Sequence, residues 1–244
     1  MASRRQAIGT AKTWAALTKN EPPPPKDENR SVYESQDDGA FSLKRGTVRY
    51  QVLVPSYTVT FAFFLVLTVG WLFVAERKHG TMIRLRAAPL ARWQILLGKL
   101  IPCLVISLIQ GFFLLLCGKI VFGMNWGPMP FLLIPVVVTT SFSAVGLSML
   151  VAGTARTETQ VAVYGTLLVL VLAGISGSMM PRDLMPDQMR KVSLLTPHAW
   201  ALDAYSQLLA NPEPQVGLVW LACGMLTLFG IAFTMLAWLR LKLD

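Results

Sequence analysis

The apolar part of this sequence contains few side chains that could do chemistry, and the first to consider is the pair Gly98-Lys99. The phosphate-binding loop of ATPases ends in a similar pair, within the pattern G-x-x-x-x-G-K-[ST]. Here Trp93 occupies the position of the first glycine, and Leu100 occupies that of the final hydroxyl. Because no phosphate cradle can form from these residues, we expect this chain to bind no nucleotide cofactor itself.

The remaining candidates for a chemical role are three cysteines and one histidine. Cys103, Cys117 and Cys223 lie inside apolar runs, with no paired spacing and no nearby ligand for a metal, so we expect small buried hydrophobic residues. His198 follows Pro197 in a loop expected to face outward, and we expect it to be exposed or to cap a helix. No H-E-x-x-H, Asp pair or Ser-His arrangement lies in the apolar runs, which argues against an intramembrane enzyme.

The composition identifies the class of protein that holds these residues. Hydrophobic residues make up 54% of the chain and charged residues only 14%, and the mean hydropathy is +0.52. This balance is far from that of a soluble domain and is typical of an integral membrane protein. The net charge of +9 does not indicate a nucleic-acid partner, because the Lys and Arg residues cluster in the N-terminal tail and in one loop, where membrane orientation explains them.

Five apolar runs are long enough to cross the hydrocarbon of a bilayer as helices, which takes about 20 residues. They cover residues 52–75, 95–122, 131–152, 160–180 and 216–239. Lys99 and Lys119 lie near the ends of these runs, and we expect both to extend to the interface. Runs of this length exclude a β-barrel, so the predicted fold is an all-α transmembrane bundle of about five spans.

Positive charges in short loops predict the orientation of the bundle. The loop after the first span has only Glu76 to set against its basic residues, which are Arg77, Lys78, Arg84, Arg86 and Arg92. That loop is therefore predicted to be cytoplasmic. Alternation places the connections 123–130 and 181–215 outside, and the connection 153–159 and the C-terminal tail inside.

The segment before the first span does not fit this orientation. Residues 1–50 are predicted to form a disordered, polar and Pro-rich tail, and residues 51–244 to form the membrane domain. Five spans place residues 1–51 outside, although they carry nine Lys and Arg. A sixth span ahead of the first would return the terminus to the cytoplasm, so we expect a truncated or divergent N-terminus rather than a complete chain.

Two motifs resemble a known family, the ABC-2 type transporter permeases. The first cytoplasmic loop of that family is matched by Glu76, Gly80, Thr81, Pro89, Gly98 and Lys99. The outer-face hairpin of the family is matched by Gly177, Pro181, Pro186, Pro197, Trp200 and Asp203. The resemblance covers about residues 50–243. Ser176 departs from it, standing where many relatives have a glycine, and the first membrane helix and following extracellular region of the family have no counterpart.

The resemblance implies a transport subunit of an ATP-binding cassette exporter in the cell membrane, not an enzyme. Such a subunit pairs with a second permease half, as a homodimer or heterodimer, and with a separate ATPase subunit that binds ATP and Mg²⁺. It contacts lipid and no nucleic acid. The sequence leaves two alternatives open, which are a secondary carrier or channel without an ATPase, and a truncated remnant that transports nothing.

The cytoplasmic loop has features that suit contact with an ATPase. Met82, Leu85 and Ala88 recur at a spacing of three, which predicts an amphipathic coupling helix whose arginines face water or an acidic partner. Gly80 allows a turn, Pro89 ends or bends the helix, and Glu76 could pair with a basic residue of the loop or of the partner. The resemblance, together with these features, assigns ATPase coupling to Glu76, Gly80, Thr81, Arg84, Arg86 and Pro89. The alternative is a solvated basic loop that only sets orientation.

The connection after the fourth span is interrupted by prolines yet too apolar for a free loop, which predicts a re-entrant or interfacial hairpin. The resemblance places it at the outer mouth of the pathway, as a gate. The alternative is a short helix packed on the bundle, with Trp200 as an interface anchor. Inside the spans, weakly polar residues such as Ser107, Thr140 and Ser143 are expected to join helices. A pathway lined in this way favours a hydrophobic or amphipathic cargo.

Overall fold

The computed structural model describes residues 47–79, 91–178 and 185–240, all of which lie in one unit, Lys44–Asp244. These residues form helices and short connections, with no strand among them. The helices are α1 (Thr47–Lys78), α2 (Arg92–Phe122), a 3₁₀ turn (Pro130–Leu132), α3 (Leu133–Thr154), α4 (Glu158–Ser176), α5 (Asp187–Ser193), α6 (Pro197–Leu209) and α7 (Val216–Arg240). The predicted all-α fold is confirmed.

Five stretches of these helices are long and apolar enough to cross a membrane, as predicted. They are Tyr50–Glu76, Trp93–Phe122, Pro130–Thr154, Glu158–Ser176 and Val216–Arg240. The predicted end of the fourth span, at residue 180, was wrong. The helix stops at Ser176 because Gly177 adopts a left-handed backbone with φ of 95°, which terminates a helix at little cost.

Helix α3 is the central element, packed by α1, α2, α6 and α7. It approaches α7 closely where Gly146 faces Gly230. A Cβ on Gly146 would lie 2.8 Å from the carbonyl oxygen of Gly230, so only glycine permits this separation of the two helices. The outward faces of α2, α4 and α7 carry many exposed Leu, Ile, Val, Phe and Trp side chains, as expected of surfaces in contact with lipid.

Helix α6 fills a space between α1, α3 and α7 in one half of the bundle. At its C-terminal end, the carbonyl oxygen of Leu208 lies against Gly127, in the connection between α2 and α3. At its N-terminal end, His198 contacts Phe63, the middle residue of the span Tyr50–Glu76. Helix α6 therefore runs from one end of the bundle to about half its depth.

The expectation for His198 was wrong. Its side chain is fully buried, because the residues around it, which were expected to face outward, fold into α6 and pack inside the bundle. Cys103 and Cys223 are buried, as predicted, whereas Cys117 is only half-buried.

Candidate functional site

At one end of the bundle, Glu76 and Lys99 form an ion pair between the last turns of α1 and the first turns of α2. The two side chains are 24% and 11% exposed, so the pair is largely shielded from solvent. The ammonium group of Lys99 also lies 4.0 Å from the centroid of the Phe73 ring. Lys99 was expected to extend to the interface, but its ammonium group pairs with the Glu76 carboxylate instead, since burying an unpaired charge costs more.

A second ion pair joins the same end of α1 to α4. Lys78 Nζ lies 3.6 Å from Glu158 Oε1, and both side chains are exposed. Glu158 is in the first turn of α4, whose start is capped by the hydroxyl of Thr157, which accepts a hydrogen bond from the amide of Gln160. The end of α1 is thus connected to α2 by a shielded pair and to α4 by an exposed one.

These two pairs lie directly beside the predicted coupling segment. Of the residues assigned to it, the structure describes Glu76, whereas Gly80, Thr81, Arg84, Arg86 and Pro89 lie outside the described residues. After that gap the chain resumes at Ala91, and its amide donates to the side chain of Gln94 at the start of α2. Sequence analysis matched Lys99 to the family motif without foreseeing its partner, because 23 residues separate it from Glu76.

In the opposite half of the bundle, the predicted outer-hairpin residues that the structure describes have local structural roles. Gly177 ends α4, Pro186 precedes α5, and Pro197 occupies the first turn of α6. The indole Nε1 of Trp200 donates a hydrogen bond of 2.8 Å to the carbonyl oxygen of Leu194, which ties α6 to the turn before it. Asp203 lines an open depression together with three charged residues of α5, Asp187, Arg190 and Lys191. Pro181 lies outside the described residues.

His198 is the functional candidate that sequence analysis missed. Its ring stacks on that of Phe63, with centroids 3.8 Å apart and planes inclined at 24°. Neither ring nitrogen has a hydrogen-bond partner, and burial lowers the pKa of the imidazole to about 3. The sequence contained a signal for this burial, since the apolar residues around His198 recur at helical spacing.

Comparison with known proteins identifies the family. The sequence matches the family described as "ABC-2 family transporter protein" over residues 6–239. The chain belongs to this ABC-2 family. The resemblance found in the sequence is confirmed, and this ABC-2 chain is a multi-pass protein of the cell membrane. The match begins at residue 6, within the segment that was assigned to a tail.

Several curated relatives are similar to this ABC-2 chain. It is 29% identical to the linearmycin resistance permease protein LnrN of Bacillus subtilis over 184 residues. These residues make up 75% of this chain and 47% of the relative. It is 25% identical to the probable multidrug ABC transporter permease YbhR of Escherichia coli, over 69% of this chain and 46% of the relative. It is 27% identical to the inner membrane transport permease YhhJ of Escherichia coli, over 73% of this chain and 47% of the relative. The chain spans about half the length of these relatives.

Proposed function

We propose that this chain is the permease subunit of an ATP-binding cassette exporter, moving a hydrophobic or amphipathic substrate out of the cytoplasm. ATP and Mg²⁺ bind to a separate ATPase subunit, and a second permease half, identical or different, completes the pathway. Family membership supports this proposal, as do the relatives, whose names describe permeases for transport and drug resistance. The exposed apolar faces of α2, α4 and α7 provide surface for lipid and for the second half.

The observation that carries the proposal is the Glu76–Lys99 pair. It joins α1 and α2 at the point where the chain leaves one helix for the coupling segment and returns in the other. A force applied to the segment between them would therefore act on both helices together. In this proposal the ATPase contacts Gly80, Thr81, Arg84, Arg86 and Pro89. Glu76, paired with Lys99, fixes the start of the coupling segment.

The outer hairpin would then control release. Helices α5 and α6 occupy the half of the bundle opposite the Glu76–Lys99 pair, and α6 reaches the middle of α1. In the proposal, these helices form a re-entrant hairpin that gates release, and its residues are Gly177, Pro181, Pro186, Pro197, Trp200 and Asp203.

Co-expression and co-purification with a candidate ABC ATPase test the proposal. The wild-type chain should bind the ATPase, and reversing both charges with Arg84→Glu and Arg86→Glu should weaken that binding. Glu76→Lys and Lys99→Glu should each uncouple ATP hydrolysis from transport, and the two together should restore coupling. Lys78→Met removes only the exposed pair and serves as the control. Transport that persists without any bound ATPase would instead support a secondary carrier.

A further inference from the structure

The hydroxyl groups inside the bundle fall into two classes. Most of them are bonded within their own helix. The hydroxyls of Ser56, Thr58, Thr60, Thr139, Ser148, Thr227 and Thr234 each donate to the carbonyl oxygen four residues earlier. Ser107 and Ser143 are fully buried, yet their hydroxyls have no hydrogen-bond partner, whereas the buried hydroxyl of Thr140 lies within hydrogen-bonding reach of the Tyr205 hydroxyl. A buried polar group left unpaired costs about 1–3 kcal/mol, so this second class needs an explanation.

The unpartnered groups lie at about the same depth along the spanning helices. Ser107 lies at the middle of the span Trp93–Phe122, and Ser143 lies one residue from the middle of the span Pro130–Thr154. His198, whose two nitrogens are also unpartnered, contacts Phe63 at the middle of a third span. Three separate elements, α2, α3 and α6, therefore place unpartnered polar side chains at the centre of the bundle.

The surroundings of these groups carry no formal charge. Among the described residues, the buried polar side chains are those of Ser, Thr, His198 and Tyr205, with no Asp, Glu, Lys or Arg. The charged residues of the hairpin, Asp187, Arg190, Lys191 and Asp203, line the open depression rather than the interior. His198 itself stays neutral, because burial and the positive end of the α6 dipole both disfavour the imidazolium. A charged ligand group would thus find no counter-charge here.

We propose that His198, Ser107 and Ser143 form a binding site for an uncharged hydrogen-bonding group, such as a hydroxyl, on an amphipathic substrate. A neutral imidazole offers one donor and one acceptor, and each hydroxyl offers both. The ring of Phe63 covers the imidazole in this structure, so the site opens when α6 moves away from α1. The inference rests on the proposed function, since a cargo site requires a permease.

Histidine NMR tests the site directly, because the chain contains only His79 and His198. The full chain, with ¹⁵N-labelled histidine, is reconstituted into phosphatidylcholine nanodiscs, and His79→Gln assigns the signals. Four probes share one decyl chain: 1-decanol, decanoate, decyltrimethylammonium and 1-chlorodecane. We expect 1-decanol alone to shift the His198 resonances, while the exposed His79 reports any general effect on the bilayer.

Two serines of α3 provide matched variants. Ser143→Ala should weaken the decanol affinity about twofold to tenfold, the value of one hydrogen bond. Ser148→Ala should leave it unchanged, because that hydroxyl is already bonded to Ala144. Equal shifts from all four probes, no shift from decanol, or equal effects of the two variants would each overturn the site.

The two proposals fail separately. The NMR measurement needs no ATPase, so an absent decanol shift with intact ATPase binding overturns the site alone. A decanol shift in a chain that binds no ATPase supports the site and overturns the exporter.

Discussion

The rings of His198 and Phe63 stack in the centre of the bundle with their centroids 3.8 Å apart, although the two residues are distant in the sequence. The contact brings a titratable side chain from a connection between spans to the middle of the first span. It also removes both imidazole nitrogens from water without giving either a partner.

Stability should decrease at acidic pH because of His198. Burial lowers its pKa to about 3 in the folded chain, whereas the unfolded value is about 6.5. Between these values the unfolded state binds one more proton, so the free energy of unfolding falls by about 1.4 kcal/mol for each pH unit below 6.5. Thermal unfolding between pH 7 and pH 5 measures this. His198→Gln should flatten the dependence and the control His79→Gln should retain it; an unchanged slope in His198→Gln contradicts the prediction.

Breaking the Glu76–Lys99 pair should destabilise the chain through the partner left behind. Glu76→Gln or Lys99→Met alone should cost about 1–3 kcal/mol, because the remaining charge is largely shielded from solvent. The double variant should recover part of this loss, and chemical unfolding of all four proteins gives the coupling energy. Lys78→Met, which breaks the exposed pair with Glu158, should cost less than about 1 kcal/mol. Additive single effects would show that the pair does not form.

Removing an unpartnered hydroxyl should stabilise the fold. Ser143→Ala eliminates a buried polar group that makes no hydrogen bond, and we expect a gain of about 1 kcal/mol in the free energy of unfolding. Ser148→Ala removes a hydroxyl that donates to Ala144, so its effect should be close to zero. Thermal unfolding of both variants provides the comparison. A loss of stability in Ser143→Ala would show that its hydroxyl is bonded in the native protein.

The close approach of α3 and α7 should depend on Gly146. In Gly146→Ala the new methyl group would press on the backbone of Gly230, so the helices must separate, and we expect a loss of about 1–3 kcal/mol. Gly224→Ala is the control, since nothing lies within 4 Å of its added Cβ. That variant should be neutral or gain up to about 1 kcal/mol from helix propensity. Equal effects of the two variants on thermal unfolding would contradict the packing described here.

The sequence by itself determined the spans and the family. Hydropathy is a sum over neighbouring residues, so the apolar runs were located without knowledge of any contact. The error at residue 180 arose where one glycine, Gly177, ended a helix inside an apolar run, which a sum cannot detect. The two family motifs were local as well, and the match over residues 6–239 confirmed the family that they indicated.

Only the tertiary structure decided which groups meet. Lys99 matched a motif in the sequence, but its ion pair with Glu76 appears only when α1 and α2 pack side by side. Ser143 and Ser148 are identical in type and burial, and only the structure separates the unpartnered hydroxyl from the bonded one. His198 looked exposed because it follows a proline between two spans, yet α6 folds into the bundle and buries it. Composition predicts which segments enter the membrane, whereas contacts between distant segments depend on how the helices pack, and that is a property of the whole fold.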